Sequence, residues 1–364
     1  MRPVIPPAPL SIGLMAALLS SAAFAEVPQV ATDIAPVHAL VAQVMGDLGE
    51  PALIVRPGAS PHGYAMRPSE AAALNGADLV VWIGEGLTPW LEGPVETLGD
   101  GAAVLELMSV EGTILHDYRE GATFAAHDHG DHEGHDHEAA DHEAAEGHDH
   151  DHDHDHEKVE AGKAEAQGHD HDHDHDHDHA EDSHAGDHAG HDHSGADAHA
   201  WLDPANGRVW LGAIAAELAR LDPENAATYA ANAAAGQDGL TALEAELQAE
   251  LAPLAGRGFV VFHDAYQYFE RRFGLQAAGA ISFSDASTPS AGRIAELRDA
   301  VETLGARCVF AEPQFSRGLV DSVFADRATV GLLDPLGQDL TPGADLYPQV
   351  LRGMAAAFKT CLDS

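Results

Sequence analysis

Short apolar runs alternate with longer helical patterns along this chain, and the alternation breaks once, at an Ala/Leu/Glu-rich stretch past its middle. Before the break lie "VPQVATD" (27–33), "PALIVR" (51–56), "DLVVWIG" (78–84) and "AAVLEL" (102–107), with helical spacing near 36–47, 68–75 and 87–98. After it lie "GFVVFH" (258–263), "LQAAGAI" (275–281), "RCVFAE" (307–312) and "ATVGLL" (328–333), with helices near 264–273, 289–304, 316–326 and 347–361. β-rich runs this short, each separated by a helix, predict βαβ units and parallel sheets. Four on each side predict an α/β protein of two doubly wound (βα)4 domains. The break, "DPENAATYAANAAAGQDGLTALEAELQAELAPL" (222–254), has the composition of a helix that starts at Asp222-Pro223 and stops at Pro253, with Gly236 and Gly239 as weak points. Such a helix would reach on the order of 45 Å, enough to run beside both domains and limit how far they open.

Two segments stand outside this pattern. Residues 1–25 carry Arg2, an apolar run from Leu10 to Leu19 and the small-x-small ending Ala23-Phe24-Ala25, the three parts of a secretory signal peptide cleaved before Glu26. The run is too short to span a bilayer, and no Cys follows the cleavage point to take a lipid anchor, so a soluble, exported protein is expected. In an exported chain the two cysteines, Cys308 and Cys361, suggest one disulfide. Closing that loop is worth roughly 4 kcal/mol on the chain-entropy model. Neither has a CxxC partner, which argues against redox catalysis.

The second segment, 121–198, has almost nothing apolar to bury and predicts a disordered insertion that leaves the first domain and returns to it. It holds the run "HDHDHDHDHDHA" (169–180). Between His127 and His193 there are 24 acidic residues and 2 lysines, so a net −22 of the chain's −42 lies in less than a fifth of its length. That surface disfavours nucleic acid and anionic lipid and favours cations. In an extended run His169, His171, His173, His175, His177 and His179 would share one side and offer several weak, exchangeable zinc sites. The expected organisation is therefore a leader (1–25), an α/β domain (26–221) carrying the insertion, a linker helix (222–254) and a second α/β domain (255–364).

Ligands of open α/β sheets bind beyond the carboxyl ends of the strands. There the sequence places His62 in "GASPHGYAMRPSEA", His263 at the end of "GFVVFH", Glu312 after "CVFA" and Asp334 after "VGLL"; His199, in "DAHAWLDP", lies where the insertion rejoins a helix. Three histidines from separate loops suit a borderline-soft divalent ion, and zinc's fourth position is left to Asp334 or water. Glu312 fits a supporting role or a salt bridge with an Arg. His38 reads as a surface residue at the start of the first helix, and His116 stands at the insertion's edge. The three lysines, Lys158, Lys163 and Lys359, lie in no Walker A motif, so the chain is no P-loop ATPase. The absence of HExxH leaves little to suggest a zinc hydrolase, and the chain is expected not to be an enzyme.

The stretches "ASPHGYAMRPSEAAALNGADLVVWIGEGLTPWL", "HAWLDP", "GFVVFHDAYQYFERRFGL", "CVFAEPQFS" and "LLDPLG" resemble, in order, the motifs of the zinc-binding receptors of bacterial ABC importers, the ZnuA-like branch of the metal-receptor cluster. The resemblance implies two (βα)4 domains joined by one long helix and one metal at the cleft. It implies His62, His199 and His263 as ligands, and zinc over manganese because "FHDAY" has His where manganese-type relatives carry a carboxylate. Cys308 and Cys361 match a disulfide of zinc-type members. Pro61 departs from members with an acidic residue before the first ligand, and Asp334 aligns with a coordinating carboxylate of manganese-type relatives. The implied protein is a monomeric periplasmic receptor that delivers Zn2+ to a membrane permease driven by a separate ATPase, its His-rich loop collecting or sensing zinc. An extracytoplasmic zinc store or chaperone built on the insertion is the alternative.

Overall fold

A computed structural model of the chain describes residues 27–119, 124, 195–282, 291–314, 317–324 and 326–363. The expected signal peptide, most of the 121–198 segment and the six histidines from His169 to His179 lie outside the described residues.

All eight expected strands are present. In the first half, β1 (Val30–Thr32), β2 (Ala52–Leu53), β3 (Leu79–Trp82) and β4 (Ala103–Glu106) form a parallel sheet ordered β2-β1-β3-β4; in the second, β5 (Phe259–His263), β6 (Ala277–Ser282), β7 (Cys308–Ala311) and β8 (Thr329–Leu332) form another, ordered β6-β5-β7-β8. β3 and β5 are buried along their whole length, as parallel strands covered on both faces must be. At the edges, by contrast, Val104 on β4 and Leu332 on β8 are exposed.

The helices of the first half are α1 (Ala35–Met45), α2 (Pro68–Asn75) and α3 (Glu92–Leu98). The middle of the chain holds two long helices, the one that the insertion was expected to rejoin and the expected connector. α4 (Pro204–Leu221) starts with Asp203 accepting the Ala205 N–H at 2.8 Å and with Pro204 in the first turn, where its missing N–H costs nothing. A 3-10 turn at Pro223–Asn225 reverses the chain, and α5 (Ala226–Leu251) returns along α4. The Tyr229 hydroxyl donates to Asp222 at 2.9 Å, Gln237 Nε2 donates to the Arg208 carbonyl at 2.9 Å, and Arg208 pairs with Glu244. The start of α5 thus meets the end of α4 while its later turns meet Arg208, near the start of α4, as in an antiparallel hairpin.

With 26 residues α5 spans about 39 Å, shorter than expected because Pro223 and Pro253 both fall in 3-10 turns beyond its ends. Gly236 sits inside α5 because the packing leaves no room for a side chain. A Cβ there would lie 2.9 Å from Leu211 Cδ1 and 3.1 Å from Gln43 Cγ.

The second half adds α6 (Gln267–Phe273), α7 (Ala291–Leu304), α8 (Arg317–Phe324) and α9 (Leu346–Leu362). α1, α4, α5 and α9 share an apolar layer, including Val41, Trp210, Leu243 and Phe358, that is continuous with Val81 and Val261 of the two sheets. The connector is thus packed along its length into the core of both halves. Cys308 on β7 and Cys361 on α9 form the disulfide and fasten the last helix to the second sheet.

Residues 196–198, assigned by composition to the insertion, are packed. Asp117 pairs with Ala196 in an antiparallel bridge, and the Asp197 N–H donates to the His116 carbonyl at 2.7 Å. Asp197 and Ala198 are buried. Small residues flanking one acid gave the sequence reading no apolar run to place, and the pairing that packs them is not revealed by composition.

Candidate metal centre

His62 lies on the loop between β2 and α2. The Trp90 indole donates to the Pro61 carbonyl at 2.7 Å and the His62 N–H donates to Ser60 Oγ at 3.2 Å, so the loop is fixed through its backbone while the side chain stays half-buried. His199 opens the 3-10 turn Ala200–Leu202, on the segment that leads from the Asp117–Ala196 bridge into α4. Trp201 Nε1 donates to the Pro335 carbonyl at 2.9 Å and Tyr347 donates to the Trp201 carbonyl at 2.6 Å, which wedges this segment against the second half. His263 is the last residue of β5. Both His199 and His263 are buried.

The three rings converge. The His199 Nε2 is 3.4 Å from the His62 Nε2 and 3.2 Å from the His263 Nε2, and one nitrogen from each ring falls in a group spanning no more than 4.8 Å. Four tetrahedral ligands about 2.0–2.1 Å from a zinc ion are about 3.3 Å apart, so the two short separations match what a pair of ligands on one such ion would require. The opposite ring nitrogens are held by carboxylates. His199 Nδ1 lies 2.7 Å from Asp197 Oδ1, and His263 Nδ1 lies 2.6 Å from Glu312 Oε1. With Nδ1–H donating to a carboxylate, the Nε2 lone pair faces the shared point, as in the carboxylate–histidine arrangement of metal sites.

The two carboxylates are themselves anchored. Gln314 donates to Glu312 Oε2 at 2.6 Å, and Asp197 accepts the His199 N–H at 3.0 Å and the Gln267 amide at 3.2 Å. Burial alone would raise the Asp197 pKa; the hydrogen bonds from the His199 ring and backbone N–H, with that of the Gln267 amide, outweigh it and hold the carboxyl below its ordinary value.

Glu312, then, has His263 as its partner and not the Arg considered from sequence. Asp334 is outside the group of converging ligand atoms. Its Oδ1 accepts the N–H groups of Leu336 and Gly337 at 3.2 and 2.8 Å, and its Oδ2 that of Gln338 at 2.6 Å. Both oxygens are engaged in closing the turn after β8. His116 is also apart from the group; its ring packs against Tyr268 with centroids 4.8 Å apart. His38 is buried, not on the surface, and its Nε2–H donates to the Pro51 carbonyl at 3.0 Å. Burial pushes its pKa down.

Sequence reasoning passed over Asp197 and Gln314. A signal for each was present: an acid two residues before His199 in "DAHAW", and an amide two residues after Glu312 in "AEPQF". Nothing in the sequence pointed to Arg119, which lies partly buried against the buried Asp264 and Glu270.

The family described as zinc-uptake complex component A, periplasmic, matches residues 30–361. The chain belongs to the ZnuA family. Two relatives named high-affinity zinc uptake system protein ZnuA match almost end to end. The Paracoccus denitrificans (strain Pd 1222) protein is 45% identical over 358 residues, 97% of this chain and 98% of its own. The Brucella abortus (strain 2308) protein is 44% identical over 354 residues, 97% of each. A crystal structure of ZnuA aligns with a TM-score of 0.63 at 24% identity, over 91% of this chain and 99% of that one. A ZnuA 138–173 deletion mutant with zinc bound aligns with a TM-score of 0.62 at 23% identity, over 92% and 97%. At that identity the solved ZnuA chains share the fold, two parallel four-stranded sheets.

Proposed function

We propose that this chain is a zinc receptor for import, holding one Zn2+ on His62, His199 and His263 and passing it to a membrane permease driven by a separate ATPase. The observation that carries the reading is the convergence of three imidazoles with nitrogen separations of 3.4 and 3.2 Å, two of the rings backed by buried carboxylates. Imidazole favours zinc over the oxygen-seeking Mn2+, and the burial of His199 and His263 removes competing water. Water takes the fourth position, since the Asp334 oxygens are occupied by backbone amides. As cargo, the ion must leave again, and a site with one half-buried loop ligand has a natural place to open, at His62.

The leader pattern and the family's description as periplasmic support export to the periplasm. Among the described residues no helix is long and apolar enough to cross a membrane. The His/Asp run serves as an accessory that collects or senses zinc, and the receptor acts as a monomer.

A zinc titration against a competing chelator tests the reading. Protein lacking residues 127–193 should retain one tight equivalent, which disappears in His62→Ala, His199→Ala or His263→Ala. Loss of all tight binding on deletion of 127–193 would instead identify a store built on the insertion.

A further inference from the structure

One arginine ties the base of the insertion to the segment behind His263. Arg119 Nε donates to both Asp264 oxygens at 3.0 Å, and its Nη2 also reaches Asp264 Oδ1. Its Nη1 and Nη2 donate to the two Glu270 oxygens at 2.8 and 2.9 Å. The guanidinium lies over the Phe124 ring, 3.9 Å from the centroid. Asp264 and Glu270 are 5% and 2% exposed and Arg119 is 16% exposed, so solvent screens this cluster little. Asp264 directly follows His263.

The other side of the same stem leads to His199. Asp117 and Ala196 are paired, and Asp197, which holds the His199 ring, comes next. Gln267 Nε2 donates to the Asp117 carbonyl at 2.9 Å and reaches Asp197 Oδ2 at 3.2 Å. Tyr268 donates to the Asp197 carbonyl at 2.7 Å and accepts the His116 N–H at 3.1 Å. Residues 264–270, which follow one ligand, thus grip both strands of the stem that carries another.

We propose that Arg119 is a positioning residue of the metal centre, its forked clasp on Asp264 and Glu270 fixing the spacing of the His199 and His263 Nε2 atoms. The proposal rests on the reading of the three histidines as zinc ligands. A planar fork with five donors holds two carboxylates in one geometry; an ammonium supplies the charge without that geometry. Arg119 should therefore act on metal affinity beyond its part in neutralising buried charge.

Two variants of the full chain separate these roles. Arg119→Lys keeps a cation in place. The triple variant Arg119→Met/Asp264→Asn/Glu270→Gln removes all three charges together, so that no buried carboxylate is left alone. The readouts are the affinity of the tightest zinc equivalent by chelator competition, the visible spectrum with Co2+ as probe, and the metal-free melting temperature. Both variants should lose on the order of tenfold or more in zinc affinity, the scale for groups that orient metal ligands, with an altered Co2+ spectrum, even where the melting temperature matches the parent's. A triple variant that melts like the parent, binds zinc within about threefold of it and keeps its Co2+ spectrum would overturn the proposal, leaving Arg119 a charge partner only. If the triple variant does not fold, parent-like zinc binding by folded Arg119→Lys overturns it equally. Tight zinc binding that survives His263→Ala in the parent background would sink the site reading instead.

Discussion

The two sheets have the same strand order, yet they serve the site differently. The second sheet presents His263 from the end of its buried β5, with its ring held by Glu312 from just beyond β7. The first presents His62 from a loop fixed by backbone contacts at Pro61 and His62. Each sheet also has a buried carboxylate just past a strand. Glu312 is turned to a ligand, whereas Asp33, after β1, accepts the N–H groups of Ile34 at 2.7 Å and Ile83 at 2.8 Å. One topology can therefore give either a ligand orientated by the sheet or a carboxylate spent on closing its own strand ends. What differs is whether a histidine stands within reach.

The sharpest way to break this comparison is to remove ligands one at a time. His263→Ala should cost at least about a thousandfold in zinc affinity, above about 4 kcal/mol, because it leaves Glu312 buried without its partner as well as losing a donor. His62→Ala should cost about tenfold less, since water can enter at a half-exposed loop position. Chelator competition measures both, and equal losses would erase the distinction between sheet-held and loop-held ligands.

Asp33 tests the other side. Burial raises its pKa from 3.8 to about 7, an effect that hydrogen bonds from the Ile83 and Ile34 amides only partly offset. The folded state thus keeps a proton that the unfolded chain has released, so the contribution to stability is present below pH about 4 and is lost as pH rises towards about 7. Asp33→Asn should flatten the stability–pH curve across that window by up to about 4 kcal/mol while leaving zinc affinity within about threefold. Urea denaturation of metal-free protein at a series of pH values gives the curve, and a parallel pair of curves would refute the assignment.

Glu312→Gln keeps an acceptor for the His263 Nδ1–H but loses the charge, and should weaken zinc about 10- to 100-fold without removing the site. Asp197→Asn should do the same through His199. The smallest effect is expected from deleting residues 127–193: the tightest equivalent should change by less than about threefold, while the weaker equivalents seen by calorimetry disappear.

The sequence by itself determined a good deal. The period of its apolar runs set the strands and most helices to within a few residues, because parallel strands and their covering helices must bury characteristic faces. The rule that ligands gather beyond strand ends singled out His62, His263 and Glu312, and the motif "HAWLDP" supplied His199; the fold brings the three imidazoles together, with Glu312 on His263. The reading stopped short where the outcome depended on long-range partners. Asp334 and Glu312 both follow strands of the second sheet, but only the fold shows that backbone amides take the first and His263 the second. Composition merged residues 196–198 with the insertion, and only the bridge to Asp117 and the burial of Asp197 and Ala198 show that they are packed beside His199.

All but five of the chain's histidines lie between His127 and His193; of those five, His38, His62, His116, His199 and His263, three converge. Local pattern could name the candidates. Choosing among them took tertiary structure, because a tight site needs nitrogen atoms from distant parts of the chain within a few ångströms and polar partners to hold them, and neither is encoded in any one stretch.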